Sequence, residues 1–245
     1  MNSRMIRVRD YTVLDLEMTG LSAKTDKIIE IGAIKVRDGR VTDTYGTLVN
    51  SGQPVPERIR ELTGITGEMA AAGEPEDEAV EFLLDFIGED VIVGHNVRFD
   101  YSFLKQWAVN HKRPLQMYAC DTLRMARGLL PPEQPKKLEC LCEYFQIHRE
   151  NAHRALDDAM ETQLIYELLA DMAEKKAQNL LQPVELVYKA KRQTPATAHQ
   201  IERLRELREK YHITDEICWE TLTRSEASRL QDRYKATYQA GADIS

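Results

Sequence analysis

The first fifty residues constrain the fold more than any other part of the chain. Three runs, "YTVLDLEM", "KIIEIGAIKV" and "RVTDTYGTLVN", are dense in β-branched and apolar side chains, and Thr19-Gly20 and Asp38-Gly39 mark the turns between them. Asp-Gly between two such runs is a hairpin signal. Connections this short let consecutive strands pair only antiparallel, so the spacing predicts a three-stranded meander. After residue 56 the periodicity changes. "PERIRELTGI" has Pro56 at its start and Gly64 at its end, which predicts a helix. "PEDEAVEFLLDFIGED" carries acids in its first turn and brings Ala79, Phe82, Leu83 and Phe86 to helical spacing. "VIVGHN" reads as a short buried strand. "FDYSFLKQWAVN" reads as a helix by Phe99, Phe103, Leu104 and Trp107. "QMYACDTLRMARGLL" reads as a strand running into a helix, and "KKLECLCEYFQI" and "ALDDAMETQLIYELLADMAEKKA" as further helices. A meander followed by alternating helices and strands predicts a mixed sheet with helices packed on it.

Beyond residue 176 the pattern weakens. "QNLLQPVELVYKAKRQTPATA" contains Pro183 and Pro195 and reads as a linker. From Thr197 a second unit begins. Ile201, Leu204 and Leu207 mark one helix, "LTRSEASRLQDRYKA" marks another, and Thr223 with Glu226 forms a capping box at the second start. The expected organisation is a domain over residues 1–175, a linker over 176–196 and a small helical module over 197–240. A chain of 245 residues with 42% hydrophobic composition is large enough for a core domain with an appendage.

The net charge of −7 argues against a general attraction to phosphate polymers, so nucleic acid would have to be met locally, by basic side chains or metal ions. Cys120, Cys140, Cys142 and Cys218 form no CxxC pair and complete no zinc pattern; they read as free thiols, and a cytoplasmic location is expected. No apolar segment follows Arg4, Arg7 and Arg9, and no apolar run approaches the ~18 residues of a bilayer span, so neither a secretory signal nor a membrane helix is expected.

The stretch "VLDLEMTGL" sets the functional problem. Asp15 and Glu17 are two residues apart in a strand, so they project from the same face, about 6–7 Å apart at the backbone. Two like charges this close are unfavourable unless a cation lies between them. Acids on the wet face of an antiparallel sheet are a common alternative, but Val13, Leu14 and Leu16 argue for burial on both faces. "HNVRFD" adds Asp100 at a helix start, where an acid also complements the helix dipole. "HRALDD" adds His153 and Asp158. Five residues on a helix span ~500°, so these two converge only if His153 lies in the loop before the helix that carries Asp158. Four carboxylates and one histidine from three separate places describe a defined chemistry. Hard oxygen ligands select Mg²⁺ or Mn²⁺. Two such ions suit phosphodiester cleavage, and an imidazole beside them can take the proton from an attacking water.

"DLEMTGL", "HNVRFD" and "HRALDD", in this order, resemble the motifs of the DEDDh branch of the DnaQ-like 3′–5′ exonucleases, which includes polymerase proofreading domains, RNase T and oligoribonuclease. The resemblance covers residues 8–175, and "ELTGIT" and "CDTL" are similar to further family segments. It implies an RNase H-like α/β fold with a five-stranded mixed sheet flanked by helices, here followed by the small helical unit. It implies that Asp15, Glu17, Asp100 and Asp158 hold two Mg²⁺ or Mn²⁺ ions and that His153 is the general base. Thr19, Gly20 and Leu21 match the turn that grips the terminal nucleotide. His95, Asn96 and Phe99 match positions that shape the site, and Phe103 is a candidate to stack on a base. Met18 stands where the family frequently has Thr, at the fit to the terminal sugar and base.

The activity implied is stepwise hydrolysis of single-stranded 3′ ends, DNA before RNA, releasing nucleoside 5′-monophosphates. A DNA polymerase or another replication or repair protein is the implied partner, with no membrane. Two alternatives stay open from the residues: a 3′–5′ exoribonuclease, and a non-catalytic nucleic-acid-binding module. The second draws on the basic bias over residues 189–210, where Lys189, Lys191, Arg192, Arg203, Arg205, Arg208 and Lys210 face Glu202, Glu206 and Glu209. A solvated helix face with ion pairs explains the same residues.

Overall fold

The structure, a computed structural model, describes residues 7–149, 153–215, 217, 219 and 222–242. Cys218 lies outside them. Chain contacts divide the molecule into two compact units, residues 1–108 with 113–190, and residues 109–112 with 191–245.

The meander is present. Strands β1 (Tyr11–Met18), β2 (Ile28–Arg37) and β3 (Arg40–Asn50) pair antiparallel in sequence order. Asp38 and Gly39 both take positive φ, 49° and 73°, as a tight hairpin turn between right-twisted strands requires. Next come α1 (Glu57–Thr63), α2 (Gly67–Ala71), β4 (Glu74–Pro75), α3 (Glu76–Ile87), β5 (Val91–Gly94), α4 (Arg98–Asn110), β6 (Tyr118–Asp121), α5 (Thr122–Leu129), α6 (Leu138–Phe145), α7 (Ala155–Lys176) and β7 (Val184–Glu185). The sheet order is β4-β3-β2-β1-β5-β6-β7, with β1 parallel to β5 and β5 parallel to β6. This is the RNase H-like mixed sheet expected, with one difference. The five strands in the middle carry an additional two-residue strand at each edge. One of these, β7, falls in the segment that reads as a linker and pairs antiparallel with β6. Two residues with Pro183 beside them carry too little β pattern to be read as a strand.

Alternation along β1 divides the core. Leu14, Leu16 and Met18 join a cluster with residues of α3 and α4. Tyr11 and Val13 join a second cluster with residues of α5, α6 and α7 on the opposite face. Asp15 and Glu17 continue the series Tyr11, Val13, so the acids project to the α7 side. In α3 the buried residues are Ala79, Val80, Leu83 and Ile87. Phe82, which the spacing grouped with Ala79 and Leu83, is 55% exposed and lies with its ring 4.5 Å from that of Tyr45 on β3. Its apolar surface is covered by one neighbouring ring, not by the core.

Within the second unit, α8 (Ala198–Tyr211) and α9 (Arg224–Ala242) enclose a small core of Leu204, Leu207, Ile213, Leu222, Ala227 and Tyr234. The capping box is formed. Glu226 N donates to Thr223 Oγ1 and Thr223 N donates to Glu226 Oε2. A second box, Thr197 with Gln200, opens α8. Several basic side chains serve the unit itself: Arg203 pairs with Glu206, Arg233 with Asp215, and Arg205 lies over the Trp219 ring. Among the described residues no helix is long and apolar enough to cross a membrane.

Candidate active site

At β1 the sheet changes direction, antiparallel to β2 on one side and parallel to β5 on the other. Clefts at the carboxyl ends of strands form at such switch points, and the acids lie there. Asp15 faces Gly32 and Glu17 faces Glu30 across the β1–β2 pair, with a register shift between Glu17 and Met18. Asp100 enters from the first turn of α4. It is 5% exposed, and its Oδ1 accepts a hydrogen bond from Leu16 N at 3.1 Å, which fastens it beside β1 between the two strand acids. Asp158, 7% exposed, lies in the first turn of α7. His153 precedes that helix in the loop, with φ of 61°. The geometric condition drawn from the five-residue spacing is therefore met. Donor atoms of Glu17, His153 and Asp158 all lie within 4.8 Å of one another.

Burial and mutual repulsion act together on the acids. Burial raises the Asp15 carboxyl well above the usual range, and Asp100, Asp158, Glu17 and Glu30 push it further. Glu17 is pushed up to about 8, by burial first and then by Asp158, Glu30 and Asp100, with Arg154 opposing. Burial raises Asp100 against the backbone N–H bonds it accepts. Burial raises Asp158 too, against Arg149. Carboxyls pushed this far toward the protonated form ionise together only beside a compensating positive charge, which a hard divalent cation supplies. The donor set, oxygen-rich with one imidazole, fits Mg²⁺ or Mn²⁺, with Asp15, Glu17, Asp100 and Asp158 as the candidate ligands.

Three residues absent from the sequence reading contact this cluster. Arg149 donates to Asp158 Oδ1 at 2.8 Å and to Glu161 Oε1 at 2.9 Å. Glu30 accepts from Arg154 and from the Ala155 backbone. The signal for Glu30 was available, since "IIEIGAI" places an acid in a buried strand as "VLDLEM" does. Arg149 and Arg154 left no such mark, because arginines beside a loop are ordinary.

The remaining candidates divide. Thr19 is buried, its hydroxyl accepting from Lys27 N at 2.9 Å and its own N–H donating to Lys27 O, which closes the turn after β1. A Cβ on Gly20 would run into the Asp26 carboxylate, which accepts from Ser22 N and would have to shift. Leu21 stands at its tip, 74% exposed. Asn96 is exposed at φ 60°, and its backbone N–H donates to Asp121. His95 is engaged through Nδ1 with Thr122 Oγ1 at 2.9 Å, and burial lowers its pKa. Phe99 is partly buried against Phe103, ring centroids 5.5 Å apart. Met18 and Phe103 are 6% and 4% exposed and belong to the core cluster under β1. The structure does not bring the Phe103 ring to the surface, where a stacking base would need it.

An acid pair on the switch-point strand, an acid on the following helix and a His-x-x-x-x-Asp segment over an RNase H-like sheet define the DEDDh class of 3′–5′ exonuclease. Comparison with known proteins agrees. The model of the RNase T exonuclease family matches residues 12–166, and the chain belongs to that family. The DNA polymerase III PolC-type of Clostridium perfringens is 40% identical over 153 residues, 62% of this chain and 11% of that protein. The Bacillus subtilis protein of the same name is 36% identical over 181 residues, 71% of this chain and 12% of that protein. The chain thus spans little more than a tenth of the length of these curated relatives. Among solved structures, the nuclease domain of 3′hExo, a DEDDh family member bound to rAMP, superposes with a TM-score of 0.60 at 16% identity, covering 73% of this chain and 98% of that one. Exonuclease X in complex with 5′ overhanging duplex DNA superposes with a TM-score of 0.54 at 22% identity, covering 70% and 99%. At these identities the structures speak for the shared fold.

Proposed function

We propose that this 3′–5′ exonuclease removes nucleotides from single-stranded DNA ends as nucleoside 5′-monophosphates, with two Mg²⁺ or Mn²⁺ ions held by Asp15, Glu17, Asp100 and Asp158. The observation that carries the reading is the convergence of Glu17, His153 and Asp158 donor atoms within 4.8 Å, beside Asp15 and Asp100. When bound, the ions supply Lewis acidity to the scissile phosphate and make water easier to deprotonate. The chain does the rest. His153, in the loop before α7, accepts the proton of the attacking water. The turn Thr19–Gly20–Leu21 offers backbone groups and one exposed apolar side chain to the terminal nucleotide. His95 and Asn96 shape the end of β5. Asp100, pinned to Leu16 N, keeps the acid from α4 in register with those on β1. Residues 1–175 carry this chemistry, residues 176–196 add the edge strand β7 to its sheet before leading on, and residues 197–240 form a separate module.

DNA is favoured over RNA because the relatives above 35% identity are DNA polymerases by name. The same likeness supports work beside a DNA polymerase, in proofreading or repair. The test is degradation of matched DNA and RNA oligonucleotides, labelled at the 3′ or the 5′ end, with Mg²⁺, Mn²⁺ or chelator. The reading expects early release of the 3′ label, arrest by chelator and faster loss of DNA. Chelator-resistant release would overturn the metal assignment, and faster loss of RNA would make the enzyme an exoribonuclease.

A further inference from the structure

We propose that Glu30 and Arg154 form a positioning pair that fixes His153 and the first turn of α7 over the acids of β1. Three observations meet here. Glu30 lies on β2 directly opposite Glu17, and its side chain is 7% exposed, yet both oxygens are committed away from the cluster. Oε1 accepts from Arg154 Nη2 at 2.7 Å and Nε at 3.0 Å, and Oε2 accepts from Ala155 N at 2.9 Å. With three donors from Arg154 and Ala155 on its two oxygens, the Glu30 carboxylate clamps the start of α7. Secondly, the α7 backbone passes so close to β2 that a Cβ on Gly32 would overlap the Ala155 carbonyl, and one on Gly46, paired with Gly32 on β3, would press on the Leu156 side chain. The helix start therefore lies in a glycine groove with Glu30 at its edge. Thirdly, His153 holds a left-handed backbone conformation, which a residue with a Cβ keeps only where its surroundings over-determine it. The two residues after it are those that Glu30 grips. Removing the grip lets His153 relax and moves Asp158 with it.

The proposal rests on His153 as proton acceptor, so His153→Ala is assayed beside Glu30→Gln, Arg154→Gln and the double variant. Groups that orient a site from behind typically change activity or metal affinity about 10–100-fold. We expect each single variant to lower kcat on a single-stranded oligonucleotide by about that factor with KM unchanged, and the double variant to be no worse than the poorer single one. Mn²⁺ binding, read by electron paramagnetic resonance without substrate, should weaken in both single variants. A pure charge effect predicts the opposite for Arg154→Gln, because loss of a cation tightens Mn²⁺ binding. Arg154→Gln with undiminished Mn²⁺ affinity and wild-type kcat would overturn the proposal. The Arg154 side chain is 40% exposed, so that variant carries the test even if Glu30→Gln does not fold. Wild-type turnover in His153→Ala would remove the reading underneath, whereas its loss beside intact Arg154→Gln defeats the clamp alone.

Discussion

Asp15 concentrates the electrostatic problem of this protein in one side chain. Buried near four other acids, it is held in a state that folding does not favour, so function and stability oppose each other there. Asp15→Asn should abolish turnover yet raise the melting temperature of the chelated protein, by about 2–4 °C for each kcal/mol of repulsion relieved. Calorimetry with and without chelator checks both halves, and a lower melting temperature would mean that the carboxylate is satisfied without a cation. The pH dependence has a definite sign. Glu17 titrates at about 8 in the folded chain, above its ordinary carboxylate value, so folding takes up protons. The stability this contributes is complete below about pH 4 and is lost as pH rises through about 8. Chelated protein should melt at a lower temperature at pH 9 than at pH 6 on this account, and Mg²⁺ should flatten the difference. His153→Ala should lower kcat by about 10²–10⁴, the range for a positioned general base, which single-turnover kinetics would measure.

At the scale of elements, two periodicities assemble the site. The two-residue period of β1 gives one face to apolar residues and, at its carboxyl end, to acids. The 3.6-residue period of α7 faces Asp158 inward but cannot do the same for His153, which is why the histidine lies in the loop ahead of it. That much was legible in the spacing alone. The closeness of α7 to β2 was not, because Gly32 and Gly46 are ordinary strand glycines until the helix is seen lying on them. Gly32→Ala places a methyl group against backbone that has no rotamer to change, and it should destabilise the fold by about 1–3 kcal/mol, measurable by urea titration. A neutral result would mean that the helix start shifts freely. Phe82 gives the reverse lesson. It has the right period, but the face that α3 buries runs through Ala79, Val80, Leu83 and Ile87 and leaves Phe82 outside.

On the scale of the whole molecule, the hydrophobic clusters of the two units share no residue. The sheet clusters draw on residues 8–188, and the helical cluster draws on residues 196–234. A chain ending at residue 190 should therefore fold and keep exonuclease turnover, as circular dichroism and an oligonucleotide assay would report. If it folds but no longer turns over substrate, the helical module is part of the substrate path. The basic bias that suggested a nucleic-acid surface there is partly taken up by Glu206, which pairs with Arg203, and by the Trp219 ring under Arg205 and Arg208, which favours the structural account of those side chains.

By itself the amino-acid order determined whatever depends on local period and local chemistry: the meander, the helices after it, and the four acids and one histidine in three motifs. Spacing is enough for these, because strand and helix geometry convert it directly into direction. Only the tertiary structure decided that Glu30 turns both oxygens toward α7, that Arg154 meets an acid from a strand far away in the chain while Arg149 folds onto the acids of α7, and that Phe103 faces the core. Those outcomes depend on which surfaces meet across the sheet, and a period within one segment carries no information about what will pack against it.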